Sequence, residues 1–237
     1  MPSLIVIAGP NGSGKSTMFN ALIEKVPSFK NIPFINPDEV AKEIHGSYII
    51  GSTSHDNSLM LRAGKEAVRR RKALLESKKS FGFETTLSGN SEINLIKEAR
   101  ALGYSINIVF IGLVNPNLNI MRVLMRVAAG GHYVDLEMVI RRYQRSLDNA
   151  IKILPFVKRF YIFDNSKMKI QMIASSKTTE YKSKIVRNVH MYQNTENKWY
   201  QDITLHLKQR NNKDANVEYK ETILYDADEY DISPKLF

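Results

Sequence analysis

The chain is 237 residues long, 43% of them hydrophobic, and it has no cysteine. This length and apolar content suit one α/β domain with a modest extension, and the missing cysteines exclude disulfide bonds and thiolate metal sites. The formal net charge of +10 favours phosphorylated or polyanionic partners.

The first residues and the hydropathy pattern predict where the protein works. The apolar run Leu4–Ala8 has no basic leader before it and leads directly into a glycine-rich turn. No apolar run approaches the ~18 residues that a membrane span needs. We therefore expect a cytoplasmic protein with no membrane association.

Strands and helices are predicted to alternate through the first two thirds of the chain. Short apolar runs indicate strands, apolar stripes with a 3.6-residue period indicate helices, and glycine or proline follows several of the helices. In chain order the elements are the strand Ser3–Ala8, the helix Lys15–Val26, the strand Ile32–Ile35, the helices Pro37–His45 and Asn57–Lys79, the strand Ser80–Glu84, the helix Ser91–Leu102, the strand Ile106–Gly112, the helices Leu118–Ala129 and Leu136–Leu154, and the strand Phe160–Phe163.

This alternation predicts an α/β three-layer sandwich, with helices on both faces of a mainly parallel, five-stranded sheet. The segments Lys169–Ile173, Lys184–Met191 and Trp199–Leu207 are also strand-like, and we interpret them as a last core strand followed by a hairpin. The expected division is a P-loop domain of residues 1–175 and a C-terminal β-rich extension of residues 176–237.

Residues 9–17 carry the clearest functional motif. They match the pattern G-x-x-x-x-G-K-[ST] between a predicted strand and an amphipathic helix, where a phosphate-binding loop belongs. Glycines let backbone amides face phosphate oxygens, and the helix that begins at Lys15 presents its positive end there. The predicted nucleotide-binding residues are Gly9, Pro10, Asn11, Gly12, Ser13, Gly14, Lys15, Ser16 and Thr17.

Within this loop, Lys15 is expected to contact the β- and γ-phosphates, and Ser16 to bind the Mg²⁺ ion that accompanies ATP or GTP. The sequence has neither the Asn-Lys-x-Asp motif of GTPases nor the full signature of ABC transporter ATPases, and motors and helicases are normally longer. Small phosphotransferases remain, and the expected cofactors are Mg²⁺ and a nucleotide, ATP or GTP.

Two acidic residues lie at the carboxyl ends of predicted strands. Asp38 comes just after Phe34-Ile35, and Glu84 ends the strand Ser80–Glu84. Ligands bind at the carboxyl edge of a parallel sheet, so both carboxylates are expected in the cleft above Lys15. There a carboxylate can take the proton of an acceptor hydroxyl, and both residues are candidates for that role. The simpler interpretations are an acid in a first helical turn for Asp38 and an ion pair for Glu84.

Arginines are the other expected catalytic groups. Arg126 lies late in one predicted helix and Arg141 and Arg142 early in the next, with Gly130-Gly131-His132 between them. Two helices hinged by a double glycine can form a lid that brings arginines over the phosphates. The alternative for these arginines is that they form a solvated basic face. His132 either contacts substrate or caps the turn. Arg69–Lys72 is interpreted as a solvated helix face.

Taken together, the motifs resemble the zeta-toxin family of P-loop kinases, particularly its short bacterial members. Each motif is short, but their order and spacing over roughly residues 3–166 make the set specific. Asp135 stands where many short members have proline. The segments that carry the resemblance are Ala8–Thr17, Ile35–Asp38, Phe83–Gly89, Gly130–Val134, Arg141–Tyr143 and Asp164–Ser166.

The resemblance implies a fold like that of shikimate and nucleoside-monophosphate kinases. It also implies ATP-dependent phosphorylation of a small-molecule hydroxyl, in the family's best-known case that of a UDP-activated amino sugar. Such proteins are often the toxin of a toxin–antitoxin pair, so an antitoxin protein is an expected partner. The implied roles are Asp38 as general base, Glu84 and Thr85 as acceptor-binding residues, and Arg126 with Arg141 or Arg142 as stabilisers of the transferred phosphoryl group.

Two other functions stay open from the residues alone. A polynucleotide or tRNA kinase would use the same core and a basic surface, and residues 1–210 carry +14 because residues 211–237 hold three lysines against seven acids. A binding protein in which ATP only sets the conformation would not need Asp38 as a base. The acidic segment Asp226–Asp231 adds the hypothesis that the tail covers the basic cleft and competes with ATP or the acceptor.

Overall fold

One continuous sheet forms the centre of the molecule. The computed structural model describes residues 1–45, 54–131, 133–181, 184–192, 201, 205 and 217–224. The elements are β1 (Ser3–Ala8), α1 (Lys15–Lys25), α2 (Pro27–Lys30), β2 (Phe34–Ile35), α3 (Pro37–His45), α4 (Ser54–Glu76), β3 (Phe81–Thr85), α5 (Asn90–Ala101), β4 (Ser105–Gly112), α6 (Pro116–Ala128), α7 (Leu136–Ile153), a 3₁₀ turn (Leu154–Phe156), β5 (Arg159–Asp164), β6 (Gln171–Tyr181), β7 (Lys184–Tyr192) and β8 (Val217–Leu224).

The strand order is β2-β3-β1-β4-β5-β6-β7-β8, and the first five strands are parallel. The expected five-stranded parallel sheet of an α/β P-loop fold is therefore confirmed. The C-terminal strands continue the same sheet, since β6 is antiparallel to β5, β7 is antiparallel to β6, and β8 is parallel to β7. The boundary predicted at residue 175 falls within β6, and it stays a prediction.

Alternation along β1 explains why helices cover both faces. Leu4, Val6 and Ala8 point into a core shared with α3, α4, α5 and α7, whereas Ile5 and Ile7 point into a second core that includes Met18 and Leu22 of α1. A strand that is apolar on both faces needs cover on both faces, and this gives the three layers.

Some predictions for the C-terminal third differ from the structure. Trp199–Leu207 was expected to be a strand, but its two described residues, Gln201 and Leu205, are helical. Strand β8 was not predicted, because Val217–Leu224 lies in an acidic stretch whose polar residues hide its alternation. His132 and Asp226–Asp231 lie outside the described residues. Within the described part of the chain, no helix is long and apolar enough to cross a membrane.

Candidate active site

A cleft of about 970 Å³ opens at the carboxyl ends of β1 and β3. β1 lies between β3 and β4, so the loops that leave these neighbouring strands diverge and a crevice forms there. The lining residues predicted from the sequence are Asn11, Gly12, Lys15, Asp38, Glu84, Thr85, Arg126 and Arg142.

The loop between β1 and α1 has the backbone of a phosphate cradle. Gly9, Gly12 and Gly14 have φ values of 150°, 73° and 95°, which residues with a Cβ rarely adopt. A Cβ on Gly12 would lie 2.7 Å from the Asn119 carbonyl oxygen, so lack of space also requires glycine there. The three glycines allow the backbone to turn sharply between the end of β1 and the start of α1 at Lys15.

Two asparagines from other elements hold this loop from behind. The Asn165 side-chain amide donates to the Ser13 carbonyl at 2.9 Å, and the Asn119 amide donates to the Asn11 carbonyl at 2.5 Å. Asp164 accepts from the Ser166 backbone amide at 2.9 Å and so shapes the turn that presents Asn165. The Asp164–Ser166 motif therefore supports the phosphate loop by fixing its backbone.

Lys15 is buried at the base of the cleft, with 8% of its surface exposed. Its Nζ donates to the Pro10 carbonyl at 3.1 Å and lies 3.8 Å from Glu84 Oε1. Burial lowers the pKa of Lys15, Glu84 and then Asp38 partly offset that effect, and Arg126 and Arg142 lower it further. The cleft thus surrounds one desolvated ammonium with both acids and two of the predicted arginines.

Ser16, at the start of α1, is exposed, and its hydroxyl donates to Glu84 Oε2 at 3.0 Å. A hydroxyl and a carboxylate oxygen are hard ligands of the kind that Mg²⁺ takes together with phosphate oxygens and waters. The pair therefore fits the predicted metal role of Ser16 and adds Glu84 to it. Among the described residues, no group of three or more His, Asp or Glu side chains could hold a metal.

Asn36 places Asp38 at the cleft. Its side-chain oxygen accepts from the Asp38 backbone amide at 2.9 Å, so Asn36 caps α3, with Pro37 at the first helical position. Its amide donates to Glu84 Oε2 at 3.2 Å and links the cap to the end of β3. The half-buried Asp38 carboxylate thus lines the cleft beside the Glu84 carboxylate.

The turn after β3 is held in an uncommon conformation. Leu87 is fully buried with a φ of 54°, and its amide donates to Thr85 Oγ1 at 2.9 Å. The Asn149 amide of α7 donates to the Leu87 carbonyl at 2.9 Å. Thr85, predicted to bind the acceptor, therefore lines the cleft while its hydroxyl accepts a bond from the turn.

Of the predicted arginines, Arg126 and Arg142 line the cleft. Arg142 is half-buried, and its Nη1 lies 3.5 Å from the Asn11 side-chain oxygen of the phosphate loop. Burial lowers the pKa of Arg142, and the charge of Arg141 lowers it further. Arg141 itself is exposed and does not line the cleft, and His132 lies outside the described residues.

The cleft residues that were not predicted to be functional include Asn36, Arg71 and Glu92. The expectation that Arg69–Lys72 is a solvated face is wrong for Arg71, which is only 5% exposed. A signal for this was present, because Arg71 falls on the stripe Ala63, Ala67, Leu75, spaced by four, whose other members are fully buried.

The chain is similar to several proteins of known sequence or structure. An uncharacterized protein of Haemophilus influenzae is 30% identical over 141 residues, 59% of this chain and 91% of that protein. The crystal structure of AvrRxo1-ORF1:-ORF2 with ATP is 17% identical, with a TM-score of 0.55, and the match covers 74% of this chain and 58% of that one. At this identity the likeness shows the fold alone.

The PezAT chromosomal toxin-antitoxin system of Streptococcus pneumoniae is 18% identical, with a TM-score of 0.49 and 72% coverage of each chain. The zeta toxin family model matches residues 1–178, three quarters of the sequence. That span contains the phosphate loop, both cleft carboxylates and the arginines of α6 and α7. The chain belongs to the zeta toxin family, and it is a P-loop kinase.

Proposed function

We propose that the protein transfers the γ-phosphoryl group of ATP to the hydroxyl of a small molecule. The observation that carries this proposal is the grouping of Lys15, Asp38 and Arg142 around one cleft at the phosphate loop. Phosphoryl transfer requires a nucleotide anchor, a base for the acceptor and cations for the transferred group, and these residues supply all three.

In this reaction the acceptor oxygen forms a bond to the γ-phosphorus as the bond between that phosphorus and the β,γ-bridging oxygen breaks. Asp38 takes the proton of the acceptor hydroxyl, and ADP leaves. Lys15 contacts the phosphates at the base of the cleft, while Arg126 and Arg142 neutralise the transferred group from the α6–α7 side. Ser16 and Glu84 would hold Mg²⁺, which supplies further charge neutralisation between the phosphates.

The acceptor that we propose is a hydroxyl compound, with UDP-activated amino sugars as the first class to test. As a member of the zeta toxin family, the protein is further proposed to act as a toxin with an antitoxin protein as its partner. Nucleic acid is less favoured as an acceptor, since Arg69 and Arg70 form ion pairs with Glu66. Those pairs reduce the positive charge that a polynucleotide track would use.

Asp38→Asn tests the proposal most directly. With γ-labelled ATP and separate pools of nucleotide sugars and oligonucleotides, the wild-type protein should label a nucleotide sugar. Asp38→Asn should lower kcat about 10²–10⁴-fold, the usual contribution of a general base, and leave ATP affinity within a few-fold. Unchanged transfer by Asp38→Asn would remove Asp38 from the mechanism.

Glu39→Gln is the matched control, because Glu39 is adjacent, exposed and paired with Lys42 on the outer face of α3. The Glu39→Gln variant should have the same kcat for phosphoryl transfer as the wild-type protein. Label on oligonucleotide ends would replace the small-molecule acceptor by a polynucleotide. ATP binding with no transfer to either pool would support a protein that uses ATP only to set its conformation.

A further inference from the structure

Three consecutive arginines of α4 have different environments. Arg69 is 71% exposed and donates to both carboxylate oxygens of Glu66, at 2.7 and 2.8 Å. Arg70 pairs with Glu66 at 2.9 Å and with Glu43 at 2.6 Å. Arg71 points the other way, into the core side of the helix, where it lines the cleft. Two of these cations are thus neutralised at the surface and the third is turned inward.

The Arg71 guanidinium sits on one aromatic face. Its central carbon lies 4.4 Å from the centre of the Phe83 ring, and its Nη2 donates to the Glu84 carbonyl at a long 3.4 Å. Its buried Nε has no hydrogen-bond partner. The guanidinium therefore packs on the ring, and the only hydrogen bond that it makes within the described residues is the long one from Nη2.

No carboxylate within the described residues lies close enough to form an ion pair with Arg71. Burial lowers the pKa of Arg71 to about 10, and the charge of Glu92 acts in the opposite direction. A pKa of about 10 leaves the guanidinium protonated at neutral pH. A buried cation without a paired anion is unfavourable, so an anion that enters the cleft gains an interaction the free protein lacks.

The position of Arg71 assigns that anion to the acceptor. Arg126 and Arg142 are close enough to Lys15 to lower its pKa, so they act on the nucleotide phosphates. Arg71, in contrast, is not among the charges that act on the pKa of Lys15, and it lies at the end of β3, beside the Glu84 carbonyl. Resting on the proposed kinase function, we propose that Arg71 binds an oxyanion carried by the acceptor, a phosphate or a carboxylate, and thereby selects anionic over neutral hydroxyl compounds.

An anion-binding measurement tests Arg71 without any phosphoryl transfer. The protein is saturated with Mg²⁺ and the non-hydrolysable analogue adenylyl imidodiphosphate, so that the phosphate loop is occupied. Inorganic phosphate is then titrated at constant ionic strength, with chloride as reference and acetate as a carboxylate probe. Phosphate, acetate or both should raise the melting temperature of the wild-type protein, and the ranking shows which oxyanion the site prefers.

Arg71→Met keeps the stem and its packing but removes the fork, and it should weaken binding of the preferred anion at least about tenfold. Arg71→Lys retains the charge and should bind with intermediate affinity, which a purely structural role of Arg71 does not predict. Arg69→Met is the matched control, because it removes a neighbouring cation that is already paired outside the cleft. Equal anion response in Arg71→Met, or no response in the wild-type protein, would overturn the proposal.

Transfer kinetics separate this inference from the kinase proposal. N-acetylglucosamine, its 1-phosphate and its UDP derivative share every sugar hydroxyl except the anomeric one, which carries the anion in the last two compounds. Arg71→Met should raise KM for the anionic compounds at least tenfold with a smaller change in KM for ATP. Transfer to the neutral sugar with equal efficiency would reject the role of Arg71 and keep the kinase. An Arg71-dependent anion response without transfer to any of the three compounds would keep the anion site and reject the proposed amino-sugar acceptor.

Discussion

At the scale of the residue, the burial of Lys15 in the nucleotide site lowers the stability of the nucleotide-free protein. Its ammonium is buried with one carbonyl contact and a carboxylate 3.8 Å away. Burial is the largest effect on its pKa, which lies below its usual value of 10.5. Because the unfolded chain keeps the usual pKa, the charged lysine opposes folding at neutral pH, and nucleotide phosphates would remove that opposition.

Lys15→Met is therefore expected to abolish transfer and to stabilise the nucleotide-free protein by about 1 kcal/mol, roughly 2–4 °C in Tm for a chain of this size. Since the unfolded wild-type chain binds the extra proton, wild-type stability rises as pH rises from the lowered pKa toward 10.5. The advantage of Lys15→Met should be largest below the lowered pKa and shrink as pH approaches 10.5. Denaturant unfolding of both proteins at several pH values measures it, and a less stable Lys15→Met at pH 7 would contradict the argument.

At the scale of the element, α7 connects the two halves of the cleft. Arg142 contacts the phosphate loop, Tyr143 donates to the Leu113 carbonyl after β4 at 2.9 Å, and Asn149 holds the turn after β3. Residues 142 and 149 are seven apart and so lie two turns along one helical face. The helix thereby fixes the distance between Arg142, beside the phosphate loop, and the turn that carries Thr85.

Asn149→Leu tests whether α7 positions the turn after β3, which carries the predicted acceptor-binding residue Thr85. Losing the bond to the buried Leu87 carbonyl is expected to cost about 1–3 kcal/mol of stability and to release a turn with a left-handed residue. We expect KM for the acceptor to rise several-fold while KM for ATP stays near its wild-type value, measured by steady-state transfer assays. Arg145→Gln, at an exposed position of α7 that does not line the cleft, serves as the control, and equal changes in both KM values would argue against this division.

At the scale of the whole molecule, the C-terminal strands extend the central sheet and join its core. β7 pairs with β6 over eight residues, and the fully buried Val189 of β7 packs in the same cluster as β1, β3 and β4. Arg187 is buried and donates to the Leu154 carbonyl at 3.2 Å, which ties β7 to the end of α7. We therefore expect β7 to unfold together with the nucleotide-binding part.

Val189→Ala tests that coupling. Removing two buried carbon groups from the core should lower the free energy of unfolding by about 2 kcal/mol. The whole chain should still unfold in one cooperative transition, at a lower Tm. Val186→Ala, the same substitution at a half-buried position of β7, should have a smaller effect. Calorimetry that shows a separate second transition, moved alone by Val189→Ala, would favour independent units on either side of residue 175.

The parts of the site that were predictable depend on local patterns. The glycines of residues 9–17 require backbone angles that few other residues adopt, and the apolar runs of β1 and β4 can only be buried strands. Asn36, in contrast, was not predicted to be functional, because its role as a cap that also contacts Glu84 involves a partner 48 residues away. The choice of Arg142 over its neighbour Arg141 likewise depends on how α7 packs.

The sequence by itself determined the α/β order, the phosphate loop and the placement of Asp38 and Glu84 at the carboxyl ends of their strands. These follow from residue periodicity and backbone sterics, which act over a few residues. Only the tertiary structure decided that Arg71 faces the cleft while Arg69 pairs at the surface, and that Asn165 supports the loop from 152 residues away. Such arrangements depend on which helix face meets the sheet and which strand ends become neighbours, and these are properties of the packed molecule.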